Sequence, residues 1–173
     1  GMLGIRASFL MPHQRQWLAG ESIDWFWEAA EQADISLMIL PPDQLPAIDR
    51  VAERHPNLRI IIDHLAISSS RRDDEAFAAL DDLYPLARHP NVAVKASGLS
   101  NFTTDSYPFR AIHGHIERVI DTFGPDRVFW GTDITKLRCS YREALTYFTD
   151  ELSFLSEANK KLIMGKGICD WLG

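Results

Sequence analysis

The sequence predicts a parallel α/β fold built from repeated strand–helix units, in one domain covering residues 1–173. Three observations predict it. A turn signature recurs as Arg54-His55-Pro56-Asn57, as Arg88-His89-Pro90-Asn91 and, more loosely, as Phe123-Gly124-Pro125-Asp126-Arg127. The three prolines are spaced 34 and 35 residues apart, which suits one strand plus its crossover helix. Each signature leads into a short, mainly apolar run: Leu58 to His64, Val92 to Gly98 and Val128 to Asp133. Such runs, rich in β-branched and aromatic residues, read as buried strands.

The elements follow in order. Gly4 to Leu10 is predicted as the first strand. Ile23 to Ala33 has a helical pattern, with Ser22 placed as its N-cap. Ile35 to Leu40 is the second strand, ended by Pro41-Pro42. Leu45, Ile48, Val51 and Ala52 then recur at helical spacing. That helix stops before Pro56, because proline lacks an N–H and restricts the residue before it. Phe77, Leu80, Tyr84 and Ala87 mark the next helix, and Ile112, Ile116, Val119, Ile120 and Phe123 the one after it. Tyr141 to Phe154 is predicted helical. Ser156 caps a last helix through Leu162, with Gly165 and Gly167 as stops. This makes five strands, each followed by helix. Arrays of paired helices share a 34-residue period, but the isoleucine and valine runs argue against them.

Bulk properties narrow the function. The chain has 173 residues and is 46% hydrophobic, enough for a sizeable core. Its net charge is −6 and its basic residues are scattered, which argues against nucleic acid as a partner. No apolar run approaches the roughly 20 residues of a membrane span. Cys139 and Cys169 form neither a disulfide framework nor a metal knuckle, so a reduced, cytoplasmic setting is expected.

Function in parallel α/β folds collects at the C-terminal ends of strands. Eight residues after Pro56 stands His64, eight after Pro125 stands Asp133, and eight after Pro90 stands Gly98. Two equivalent strand ends therefore offer ionisable groups. Their neighbours Asp63 and Thr132 are expected to point the other way. A carboxylate can take a proton from water, and an imidazole can polarise a carbonyl or bind a metal. The same residues also suit plain roles, Asp133 as a helix cap and His64 as a hydrogen-bonded turn residue. Lys95 interrupts a strand of valine and alanine, and lysine is rarely buried unless paired or functional. It is expected near the barrel mouth, paired with a carboxylate, and it and Arg6, on the first strand, are candidates to hold a substrate's negative charge. Each also has a plain reading, Lys95 reaching along the strand to solvent and Arg6 lying on the surface. His113-Gly114-His115 has the spacing of a metal pair, but it opens a helix, where positions i and i+2 diverge.

Together these residues resemble the amidohydrolase-related family, in particular its lactonase-like, metal-dependent hydrolases of the TIM-barrel type. The resemblance covers nearly the whole chain. Its marks are Gly4-Ile5-Arg6, Asp63-His64-Leu65-Ala66, Leu86 to Val92, Val94-Lys95-Ala96-Ser97-Gly98-Leu99 and, most specifically, Phe123 to Asp133. It implies that the five strands are barrel strands four to eight of an incomplete barrel, since a full barrel takes about 250 residues. It implies that His64 follows strand six and polarises substrate or binds metal. Asp133 would follow strand eight as general base and occasional metal ligand, with Arg6 near the substrate. The family's metal-binding His-x-His of strand one has no match in this sequence. Gly165-Lys166-Gly167-Ile168 also replaces the usual Gly-x-Asn-Ala ending. The resemblance therefore implies a hydrolase of a small lactone-type ester or amide, with a divalent metal such as zinc held weakly by His64 and Asp133. Turnover by this chain alone is expected to be low.

Two other readings stay open. One is an inactive remnant serving as a binding or oligomerisation module. The other is a doubly wound enzyme with a phosphate site, against which stands the lack of a glycine-rich loop after any strand. Five strands without the other three are expected to leave open edges and a bare inner face, and hence a homodimer or larger species, unless the segment Phe9 to Trp17 or the C-terminal helix folds over the gap.

Overall fold

The computed structural model describes residues 3–20 and 22–173. Five strands form one parallel sheet: β1 (Gly4–Ser8), β2 (Ser36–Leu40), β3 (Ile60–Ile62), β4 (Val92–Ser97) and β5 (Val128–Gly131). Their spatial order is their chain order. A doubly wound sheet reverses its strand order part-way, so the sequential order removes that reading. Helices fill the connections: α1 (Pro12–Ala19), α2 (Asp24–Gln32), α3 (Leu45–Arg54), the short α4 (Asp73–Phe77) and α5 (Leu80–Leu83), and α6 (His113–Phe123). After β5 come α7 (Tyr141–Thr146), α8 (Glu157–Lys161) and α9 (Gly167–Leu172). The fold is the predicted α/β arrangement.

Strand alternation divides the side chains between two layers. Leu37, Ile39, Ile60, Ile62, Val92, Val94, Ala96 and Val128 face the helices and join the main core. Ile61, Ala93 and Phe129 face the other way, with Met38 packed beside them. All three isoleucines of β3 are fully buried, as expected of a strand covered on both faces. The register aligns Met38, Ile61 and Ala93 across β2, β3 and β4.

The bare inner face expected from the sequence is corrected by the last helix. Ile168 and Trp171 of α9 pack on the inner-face cluster, with the Trp171 and Phe129 ring centroids 6.1 Å apart. The glycines read as helix stops make this approach possible. Gly165, with φ 162° and ψ −37°, does break the helix as expected, and α9 resumes beyond this kink and runs to Leu172. At Gly167 a Cβ would stand 3.0 Å from the Asp126 carbonyl oxygen and 3.3 Å from the Phe129 ring, so glycine lets the helix close onto β5.

Four smaller expectations are also corrected. β1 ends at Ser8 rather than Leu10. The predicted helix from Tyr141 to Phe154 is α-helical only to Thr146 and then widens to a π turn ending at Glu151. Ser22 is not a cap: α2 starts at Asp24 behind Ile23. Helix α1, rich in polar residues, gave too weak an apolar stripe to be seen.

The repeated Arg-His-Pro-Asn signature has a structural role. Arg54 pairs with Asp24 and His55 with Glu31; Arg88 and His89 both pair with Asp49. In each unit the residues before the proline clamp the turn onto the preceding helix. In the third unit Arg127 donates instead to the carbonyls of Ala87, His89 and Val92. These contacts lie at the N-terminal ends of the strands, the stabilising end of such folds.

Candidate active site

The positions eight residues after each turn proline prove conformationally equivalent. His64, Gly98 and Asp133 have φ of 53°, 66° and 49°, all left-handed. A left-handed residue reverses the chain sharply as it leaves a strand, and this swings the side chain back over the strand end. Gly98 carries no side chain for a reason of space. A Cβ there would stand 3.2 Å from the Asp133 Cβ, so Gly98 leaves the volume that Asp133 occupies.

His64 and Asp133 come together. His64 Nε2 lies 3.8 Å from Asp133 Oδ2. That is too long for a direct hydrogen bond, and one oxygen atom can sit within hydrogen-bond reach of both. The other ring nitrogen, Nδ1, lies 2.8 Å from Ser97 Oγ. Burial pushes the His64 imidazole below its ordinary pKa, outweighing the opposing pull of Asp63 and Asp133, so it is neutral near pH 7. Both side chains open into a cleft of about 310 Å³ at the C-terminal strand ends, shared with Arg6, Ser8, Asn101 and Lys136.

Lys95 pairs with a carboxylate, one of the roles the sequence suggested for it, and Arg6 joins the same carboxylate. Both reach Asp63, with Arg6 Nε 2.5 Å from Oδ2 and Lys95 Nζ 3.1 Å from Oδ1. Asp63 was expected to point away. It follows Ile61 by two residues and so continues the inner face, while the left-handed turn brings its neighbour His64 back to the same end. Asp63 is fully buried. Burial opposes its charge, but Lys95 and Arg6 together hold its carboxyl below the usual carboxylate range. Arg6 is half exposed and lines the cleft, whereas Lys95 does not line it. Sequence reasoning missed Asp63 and Ser97. The signal for Ser97 was its spacing of two from Lys95, which puts both on one face of β4.

The rejected His113-Gly114-His115 pair is occupied elsewhere. His113 Nε2 bonds the Pro108 carbonyl, and His115 stacks on Phe77.

The family model described as Amidohydrolase (Amidohydro_2) matches residues 1–166. The chain belongs to the amidohydrolase family. An L-fucono-1,5-lactonase from Burkholderia ambifaria is 36% identical over 97 residues, 55% of this chain and 32% of that protein. Among solved structures, an amidohydrolase from Burkholderia multivorans with bound zinc superposes with a TM-score of 0.83 at 22% identity. The match covers 98% of this chain and 63% of that one. A 5-carboxyvanillate decarboxylase from Sphingomonas paucimobilis gives a TM-score of 0.67 at 15% identity, over 98% of this chain and 58% of that one. This amidohydrolase chain thus spans about a third of the lactonase and about three fifths of those barrel structures.

The family implies a metal. His64 Nε2 and Asp133 Oδ2 are close enough to share an ion, but among the described residues no third His, Cys, Asp or Glu joins them. A catalytic zinc normally takes three protein ligands. The described residues therefore do not complete a metal site. Among the described residues no helix is long and apolar enough to cross a membrane.

Proposed function

We propose that this amidohydrolase site hydrolyses a small lactone. The observation that carries the reading is the opposition of His64 Nε2 and Asp133 Oδ2 across 3.8 Å at the floor of the cleft. Asp133 takes a proton from water as the water attacks the ester carbon. His64, neutral, donates from Nε2 to the carbonyl oxygen on which negative charge develops. Arg6 is fixed through its Nε by Asp63 and turns its remaining N–H groups to the substrate and to the carboxylate that ring opening produces. Lys95 acts through Asp63, as the second cation that keeps this carboxylate charged. The lactonase relative supports a cyclic ester as substrate. The cleft's Ser8, Ser68, Ser69 and Thr135 hydroxyls suit a hydroxylated ring.

A panel of sugar lactones assayed by acid release tests this. Slow hydrolysis that falls by about 10²-fold or more in Asp133→Asn supports it. One observation favours a second reading, an inactive binding module: the two-residue donor set. Equal rates for Asp133→Asn and the parent chain on every lactone would establish that reading.

A further inference from the structure

Ser97 is the one polar partner that holds the His64 ring from behind. Its Oγ lies 2.8 Å from Nδ1 and the residue is 2% exposed, so its hydroxyl hydrogen has no water to bond. Among the described residues that hydroxyl has no other hydrogen-bond partner. Space for it is provided across the ladder. Ser97 pairs in register with Gly131, where a Cβ would stand 3.0 Å from the Ser97 Cβ.

Two constraints then fix the position of one hydrogen. A buried hydroxyl hydrogen is costly to leave without an acceptor, and the available acceptor is the Nδ1 lone pair. On the other side Nε2 faces the Asp133 carboxylate, which attracts an N–H and repels a lone pair. Both place the imidazole hydrogen on Nε2, against the pull of the Ser97 backbone carbonyl, which also lies near the ring and favours a ring N–H. We propose that Ser97 is a positioning residue that locks His64 in the Nε2–H tautomer and so makes it a hydrogen-bond donor to the substrate carbonyl. This rests on the reading of His64 as the carbonyl-polarising group. The chain of serine, imidazole and carboxylate contains the parts of a nucleophilic triad, but Ser97 does not line the cleft and is sealed from substrate.

The test is the imidazole ¹⁵N spectrum of the full chain labelled at histidine, at pH 7.5, with His64 assigned by its absence in His64→Gln. It needs no substrate, so its outcome is separable from the success of the lactonase reading. The expected result is the Nε2–H pattern in the parent chain and a tautomer ratio shifted about fivefold towards Nδ1–H in Ser97→Ala, the equivalent of one ordinary hydrogen bond. An Nδ1–H pattern in the parent chain, or an unchanged ratio in a folded Ser97→Ala, overturns the proposal. Where Ser97→Ala does not fold, the parent spectrum decides alone.

Discussion

Replacing Asp63 by asparagine removes the charge on which two strands' cations converge, and its cost follows from the geometry. Asp63 is fully buried, with Arg6 at 2.5 Å and Lys95 at 3.1 Å. Removing one partner of a buried ion pair typically costs about 3–5 kcal/mol, because the remaining charge is left uncompensated. Here the abandoned cations are 52% and 23% exposed and regain some water. The expected loss is therefore nearer ~2–3 kcal/mol. For a chain of this size that lowers the melting temperature by roughly 5–10 °C. Urea and thermal denaturation followed by circular dichroism measure it. Lys95→Met added to Asp63→Asn should restore at least about 1 kcal/mol relative to additivity, since it removes one stranded charge. The pH dependence has a definite sign. The native carboxyl is held below its ordinary value, so its contribution is complete above that value and is lost as pH falls through the lower folded one. Asp63→Asn should be flat over the same window. A variant within about 0.5 kcal/mol of the parent, or strictly additive effects with Lys95→Met, would refute the buried-charge argument.

Three further outcomes are expected. Gly98→Ala forces a φ of 66° on a residue with a side chain and sets its Cβ 3.2 Å from Asp133. It should cost about 1–2 kcal/mol of stability and, by displacing Asp133, about tenfold in lactone hydrolysis; unchanged kinetics would contradict the crowding. The native His64 imidazole is held below its ordinary value near 6.5, so the native state binds fewer protons than the unfolded chain. Stability should therefore fall as pH drops below about 6.5 toward the folded value, and urea midpoints of His64→Gln should lack that slope. We also propose that the chain self-associates at the outer edges of β1 and β5, which no described strand pairs. Sedimentation at micromolar concentration should show a dimer or larger, increased by Trp171→Ala, which uncovers Phe129; a monomer in both would dismiss it.

The strand–helix frame was legible because prolines, turn residues and apolar runs are local signals that packing only reinforces. His64, Gly98 and Asp133 were found by counting from the prolines, and their shared left-handed φ is the physical reason the counting works. Alternation places Asp63 on the inner face correctly; what it does not foresee is the left-handed turn that brings His64 back over the same strand end. Lys95 stands out as a charge within a strand of valine and alanine, and Arg6 as a guanidinium on the first strand. Their partner lies 57 and 32 positions away, a pairing that only the sheet register brings together. Of the two glycines read as stops, Gly165 does break the helix, whereas Gly167 marks a close approach and begins another. A glycine in sequence does not distinguish the two.

The central claim is that His64 and Asp133 act on one substrate from the two sides of a 3.8 Å gap. A kinetic double-mutant cycle on a lactone that the chain hydrolyses tests it most directly, using His64→Gln, Asp133→Asn and the pair. Groups that serve one transition state are strongly non-additive. The account predicts that the double variant is no slower than the slower single variant, within about threefold. Losses that multiply would mean that the two residues act independently, and would contradict a shared site.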